Sequence, residues 1–219
     1  MLHYTLTQPK EPSDAKPPVL IVLHGYGADE NDLLPLADRL PGDHLIISFR
    51  APLTLPWGGY AWYHLTQNAT GGFRGDDLSR QKSEKMLIEE LPYILRKEKG
   101  DAGNVTLMGF SQGAAMIYSL FARHDLAGLG IHVKKALCLS GYVPKDCSFA
   151  GKDLSGLKVF MSHGKLDELI DPAALDEAEK ILTKAGAEVT AKLYPIGHGI
   201  SEATLQDMAA WAQTMTSNP

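Results

Sequence analysis

The chain has 219 residues, 44% hydrophobic and 21% charged, a balance that supports one buried core and excludes an intrinsically disordered polymer. Its formal net charge is −5 and no Lys/Arg cluster offsets it, which argues against nucleic acid and anionic membrane surfaces as partners. Two cysteines, Cys138 and Cys147, are too few for a disulfide framework and lack the neighbours of a metal-ligand pattern, so both read as free thiols, Cys138 within a buried strand.

The first residues lack the basic region and apolar core of a secretory leader. No apolar run approaches the roughly 18 residues of a membrane span, so the expected protein is cytoplasmic, without stable membrane insertion. Residues 3–7 read as a first edge strand, and the proline-rich, charged stretch from Pro9 to Pro18 as its linker to the body. Val19–Leu23 is a short continuous apolar run, as a strand buried on both faces requires. Leu33, Leu36, Ala37 and Leu40 fall at helical spacing, with Asp32 as cap and Pro35 in the first turn, where a missing N–H does no harm. Leu45–Phe49 is the next strand. Residues 77–99 predict a long helix with Leu87, Leu91, Ile94 and Leu95 on one side, a kink at Pro92 and Gly100 as its stop. Val105–Met108 is a third inner strand, residues 111–124 a helix, Ala136–Leu139 a fourth strand and Val159–Met161 a fifth. Asp171 and Pro172 supply a cap and a first-position proline for a helix carrying Leu175, Ala178, Ile181, Leu182 and Ala185, ended by Gly186. Val189–Leu193 alternates like an edge strand, and a last helix carries Leu205, Met208, Ala209, Ala212 and Met215. This alternation predicts a single α/β domain over residues 1–219, with a mainly parallel sheet and helices on both faces. In such sheets ligands meet the loops at the carboxyl ends of the strands.

Gly109–Phe110–Ser111–Gln112–Gly113 joins a buried strand to a helix rich in small residues, the context of a nucleophile elbow. A serine hydroxyl needs a base within hydrogen-bond reach, and the base needs an orienting acid. In this architecture acid and base follow the serine in that order, each on a loop after a strand. Asp167 follows the fifth strand and His198, flanked by glycines, follows the last, so both fit in order and place. Asp171 reads instead as a helix cap, and Asp153 lies at the wrong end of the sheet. His163 sits at a strand end and fits on position alone, but it comes before Gly164 and ahead of the acid, and reads as a structural loop residue. His3, His44, His64, His124 and His132 show no partner pattern.

The oxyanion of an acyl-transfer reaction needs amide donors, each worth roughly 3 to 4 kcal/mol to the transition state. Those expected are the N–H of Gln112, just after the nucleophile, and that of Tyr26 in the loop His24–Gly25–Tyr26–Gly27, which His24 braces. The stretch from Ala51 to Phe73 is aromatic; it reads either as an apolar substrate wall carrying Trp57, Trp62, Tyr63 and Phe73 or as packing over the sheet edge. Residues 141–158 are too few for a large cap domain, so an open site is expected.

The blocks Leu23–Leu33, Phe110–Met116, Leu139–Pro144, His163–Asp167 and Tyr194–Gly199 resemble the phospholipase/carboxylesterase family of small α/β-hydrolases, which includes acyl-protein thioesterases and bacterial carboxylesterases. The likeness runs from about residue 18 to 215. It implies a Ser111–His198–Asp167 triad, oxyanion amides of Tyr26 and Gln112, and hydrolysis of carboxylic esters or thioesters, with lysophospholipids among the substrates to test. It further implies no metal or organic cofactor, a small-molecule ester as partner, and often a homodimer. Two alternatives stand beside it: a fold of this kind that binds a small apolar ligand without turnover, and a peptidase of small amides.

Overall fold

A computed structural model describes residues 1–11, 13–67 and 73–214. Pro12 of the linker, residues 68–72 of the aromatic stretch, and Met215, assigned by spacing to the last helix, lie outside the described residues. In chain order the first elements are β1 (Tyr4–Thr7), β2 (Pro18–Leu23), α1 (Leu34–Ala37), β3 (Leu45–Phe49), β4 (Leu53–Thr54), β5 (Tyr60–Ala61), β6 (Leu65–Gln67) and β7 (Phe73–Gly75). Then follow α2 (Asp77–Lys97), β8 (Asp101–Phe110), α3 (Gln112–Arg123), β9 (Val133–Leu139), β10 (Lys158–Gly164), α4 (Ala173–Lys184), β11 (Glu188–Tyr194) and α5 (Glu202–Thr214).

Seven strands make one sheet in the order β1-β3-β2-β8-β9-β10-β11. Among the described residues, only β1 runs antiparallel in this sheet, against β3, and the sheet's other pairings are parallel. The two pairs β4–β5 and β6–β7 are short antiparallel ribbons outside it. This is the α/β-hydrolase architecture: helices cover both faces, and the pleat sorts each inner strand between them. Val19, Ile21 and Leu23 of β2 pack with Leu87 and Leu91 of α2, Ile117 and Phe121 of α3, and Leu182 of α4. Leu20 and Val22, pointing the other way, pack with Ala37 of α1 and Leu205, Met208 and Trp211 of α5. A continuous apolar run is therefore required in β2, because neither face meets water.

Helix ends depart from expectation in two places. The first helix is a single turn whose cap position, Leu33, has no side-chain bond, so Asp32 does not cap it; the polar tie there is Asp29, which accepts from the Asn31 amide at 2.8 Å. At the end of α2 the left-handed residue is Lys99 (φ 59°), not Gly100. Gly100 donates its N–H to the Leu95 carbonyl at 3.0 Å, and a Cβ there would stand 2.4 Å from Val19 Cγ2, so its smallness serves packing against β2. The long helix starts at Asp76, whose carboxylate accepts from the Ser79 amide at 2.7 Å, and continues through Pro92. Before α4, the Asp171 carboxylate accepts from the Ala173 amide at 2.9 Å, the bond expected of a cap. No helix among the described residues is long and apolar enough to cross a membrane.

Candidate active site

The candidate nucleophile, Ser111, stands in the sharp turn between β8 and α3. Ser111 has φ 53° and ψ −113°, a backbone conformation that side-chain-bearing residues avoid. The turn folds tightly enough that a Cβ on Gly113 would lie 2.0 Å from the Leu23 carbonyl oxygen, and one on Gly109 would lie 2.5 Å from the Gly113 carbonyl carbon. The Ser111 amide is held by the Leu139 carbonyl at 2.8 Å, so the serine sits over the middle of the sheet.

The candidate acid and base come from the exits of β10 and β11, which are tied together by their backbones. The amide of Lys165 donates to the Tyr194 carbonyl at 2.7 Å, and that of Leu166 to the Ile196 carbonyl at 2.9 Å. Gly164 allows this approach, since a Cβ there would stand 2.1 Å from the Gly197 carbonyl oxygen. Asp167 Oδ1 accepts from the amides of Leu169 at 2.9 Å and Ile170 at 3.0 Å. Its Oδ2 lies 2.7 Å from His198 Nδ1, and His198 Nε2 lies 2.9 Å from Ser111 Oγ. A carboxylate only accepts, so Nδ1 carries a proton toward Asp167 and the Nε2 lone pair is left to take the serine hydroxyl proton. Burial pushes the Asp167 carboxyl upward, but the Ile170 amide, the His198 hydrogen bond and the Leu169 amide outweigh it and hold the group below its usual range. It therefore stays ionised where it can balance an imidazolium.

Beside the serine runs the loop after β2. His24 is fully buried; its Nδ1 lies 2.6 Å from the Gly25 carbonyl oxygen, and its Nε2 accepts from the Ala51 amide at 3.0 Å. This fixes the Nδ1–H tautomer, and burial pushes the pKa below the usual histidine value, so the ring acts as a neutral brace. The loop is pinned again where the Gly27 amide donates to the Tyr60 carbonyl at 2.8 Å, just past Tyr26. On the other flank, Gln112 is the first residue of α3, and the amides of a helix's first turn have no intrahelical acceptor. Gln112 follows Ser111 directly in the chain, and the loop carrying Tyr26 leaves β2, the strand paired with β8.

The aromatic stretch divides. Trp57 is 72% exposed, with its ring centroid 6.5 Å from that of Tyr26. Phe73 is 59% exposed on the β6–β7 ribbon. Trp62 and Tyr63 are fully buried and form no open wall, which corrects that expectation. Their backbone is bound by the Gln112 side chain: Oε1 accepts from the Trp62 amide at 2.9 Å and Nε2 donates to the Tyr63 carbonyl at 2.9 Å. The Trp62 indole N–H donates to the His24 carbonyl at 3.0 Å, so these rings support the site from beneath.

Three contributors escaped the sequence reading. The Phe110 ring packs on the His198 imidazole with centroids 5.0 Å apart, and only its place beside Ser111 hinted at it. Ser140, with φ 47°, places its hydroxyl 3.4 Å from the Gly199 carbonyl in the histidine loop; nothing local signalled this. His163, read as a loop residue, is fully buried 3.1 Å from Asp167 Oδ2.

A family model described as Phospholipase/Carboxylesterase matches residues 7–216. The Bacillus subtilis (strain 168) protein MhqD is 26% identical over 196 residues, 88% of this chain and 91% of its own. The acyl-protein thioesterase 1 homolog 1 of Dictyostelium discoideum is 30% identical over 119 residues, 52% of this chain and 50% of its own. Among solved structures, the Bacillus cereus carboxylesterase superposes with a TM-score of 0.84 at 26% identity, covering 98% of this chain and 94% of that one.

Proposed function

The chain belongs to the phospholipase/carboxylesterase family and is an esterase-type hydrolase of carboxylic esters, and from that premise we propose that Ser111, His198 and Asp167 are its catalytic triad. The observation that carries this reading is the pair of hydrogen bonds through one imidazole, 2.9 Å to the Ser111 hydroxyl and 2.7 Å to the Asp167 carboxylate. His198 takes the hydroxyl proton as Ser111 attacks the acyl carbonyl. The amides of Tyr26 and Gln112 receive the oxyanion, and Asp167 balances the imidazolium. His198 then protonates the leaving alcohol, and water attacks the acyl-enzyme by the same route in reverse order.

The preferred substrates are esters of short to medium acyl chains, because the connection between β9 and β10 is too short to roof the serine with a cap domain. Trp57, exposed with its ring near that of Tyr26, is the first candidate to line the acyl side of the site, and Phe73, exposed on the β6–β7 ribbon, is the second. Thioesters are the second reading, favoured by the likeness to an acyl-protein thioesterase homologue. Turnover of matched oxygen and sulfur esters across acyl lengths separates the two readings. The triad itself is tested with Ser111→Ala, expected to lower kcat about a millionfold on p-nitrophenyl esters. Turnover near the wild-type rate would defeat it, and with it the role of every partner named here.

A further inference from the structure

We propose that His163 is a positioning residue for Asp167, locking the turn that presents the carboxylate to His198; this rests on Asp167 being the acid of the triad. His163 is the penultimate residue of β10 and is fully buried. Its Nε2 lies 3.0 Å from the Ile170 carbonyl oxygen and 3.1 Å from Asp167 Oδ2. Both neighbours can only accept, so Nε2 carries a proton, donated to Ile170 with its positive end against the carboxylate. Ile170 also supplies, through its own N–H, one of the two amide bonds that hold Asp167 Oδ1. The turn 167–170 is thereby fastened at both ends of one residue: Ile170 N–H to the carboxylate, Ile170 C=O to His163.

Two further observations give the contact weight. Leu166 and Leu169, which flank the acid, are 67% and 64% exposed, so apolar packing does little to hold this turn and polar ties must. Moreover, His163 Nδ1 is buried without a hydrogen-bond partner among the described residues. A side chain serving only to fill space would not bury an unsatisfied nitrogen, since an apolar ring of similar size fills the volume without that penalty. The Nε2 bond is what the imidazole supplies and a phenyl ring does not.

The test follows from that difference. His163→Phe keeps the ring and removes the donor, along with the orphaned nitrogen, so folding and melting temperature stay near wild type. Its kcat on a p-nitrophenyl ester should fall about 10- to 100-fold with KM unchanged, the range for losing one hydrogen bond in a charged network. His163→Gln, whose amide reaches the Nε2 position, restores kcat to near wild type. Wild-type kcat in His163→Phe overturns the proposal, as does a Gln variant as slow as the Phe one. Should the Phe variant not fold, Gln against Asn decides instead, because Asn matches Gln in polarity but stops short of Ile170. Asn slow and Gln fast supports the positioning role; equal rates overturn it. His198→Ala is run alongside. If that variant is fully active the triad reading fails on its own account, whereas an inactive His198→Ala beside a fully active His163→Phe removes only the positioning role.

Discussion

Ser111 carries a backbone cost that the proposed role as nucleophile accounts for. At φ 53° and ψ −113° a residue with a Cβ stores about 1–3 kcal/mol, which the packing of the elbow must offset. Glycine adopts this geometry freely but loses about 0.5–1 kcal/mol through the greater freedom of its unfolded chain. Ser111→Gly is therefore expected to be more stable than Ser111→Ala by about 1 kcal/mol, a melting difference of about 2–4 °C, with both inactive. Equal thermal transitions would show that the elbow holds no such strain. At this scale the site was legible wherever chemistry and local geometry coincide. Ser111 stands in a G-x-S-x-G turn because no side chain fits at Gly109 or Gly113. Asp167 and His198 stand on loops after strands, where the proposed triad calls for a carboxylate and an imidazole in that chain order. His163 was illegible for the opposite reason, because a histidine at a strand end looks the same whether it faces solvent or the buried side of a carboxylate.

At the scale of elements, alternating apolar runs and amphipathic stretches marked β2, β3 and β8 to β11 together with the major helices, since burial on two faces or one leaves different periods in a sequence. The aromatic stretch left no such mark. Tryptophan and tyrosine have the same composition in a cleft as in a core, and the group that decided between them, the Gln112 side chain on α3, is 50 residues away from Trp62. That side chain joins α3 to the segment carrying Trp62 and Tyr63, and through the Trp62 indole to the His24 loop. Gln112→Leu leaves the Trp62 N–H and the Tyr63 C=O buried without partners while keeping the backbone amide at position 112. Two unpaired polar groups at about 1–3 kcal/mol each predict a loss of roughly 2–6 kcal/mol, measurable by urea unfolding. Ester hydrolysis by the folded fraction falls as well, because the His24 loop loses its support. A variant with unchanged unfolding midpoint and slope would mean that the two backbone groups find other partners.

For the whole molecule, the alternation along the chain implied a parallel sheet with its functional loops along one edge, and the observed strand order puts the loops after β2, β8, β10 and β11 there. Less visible beforehand was how distant parts of the chain are fastened around the loop after β2. Glu30, with its side chain almost fully buried, receives two hydrogen bonds from Arg50, at 2.6 Å and 2.5 Å, beyond the end of β3. His3 Nε2, just before β1, lies 3.2 Å from Glu30 Oε1, and the Arg50 guanidinium stacks 4.6 Å over the Tyr60 ring. One carboxylate thus links the N-terminal strand, the exit of β3, the aromatic segment and the loop that carries Tyr26. The Arg50 hydrogen bonds, opposed by burial, hold the Glu30 carboxyl down at about 2, against an ordinary value of 4.5. Between those values the unfolded chain binds the proton more readily than the fold does, so protonation favours unfolding. The stabilisation is complete above about pH 4.5 and drains away as the pH falls towards 2. Glu30→Gln removes this linkage. Urea unfolding at a series of pH values should show wild type more stable than the variant by a constant margin above pH 5, with the margin shrinking steadily through the acid range. A margin independent of pH would mean that the Glu30–Arg50 pair contributes nothing through ionisation and that the loop is held by its backbone bonds to Tyr60 instead.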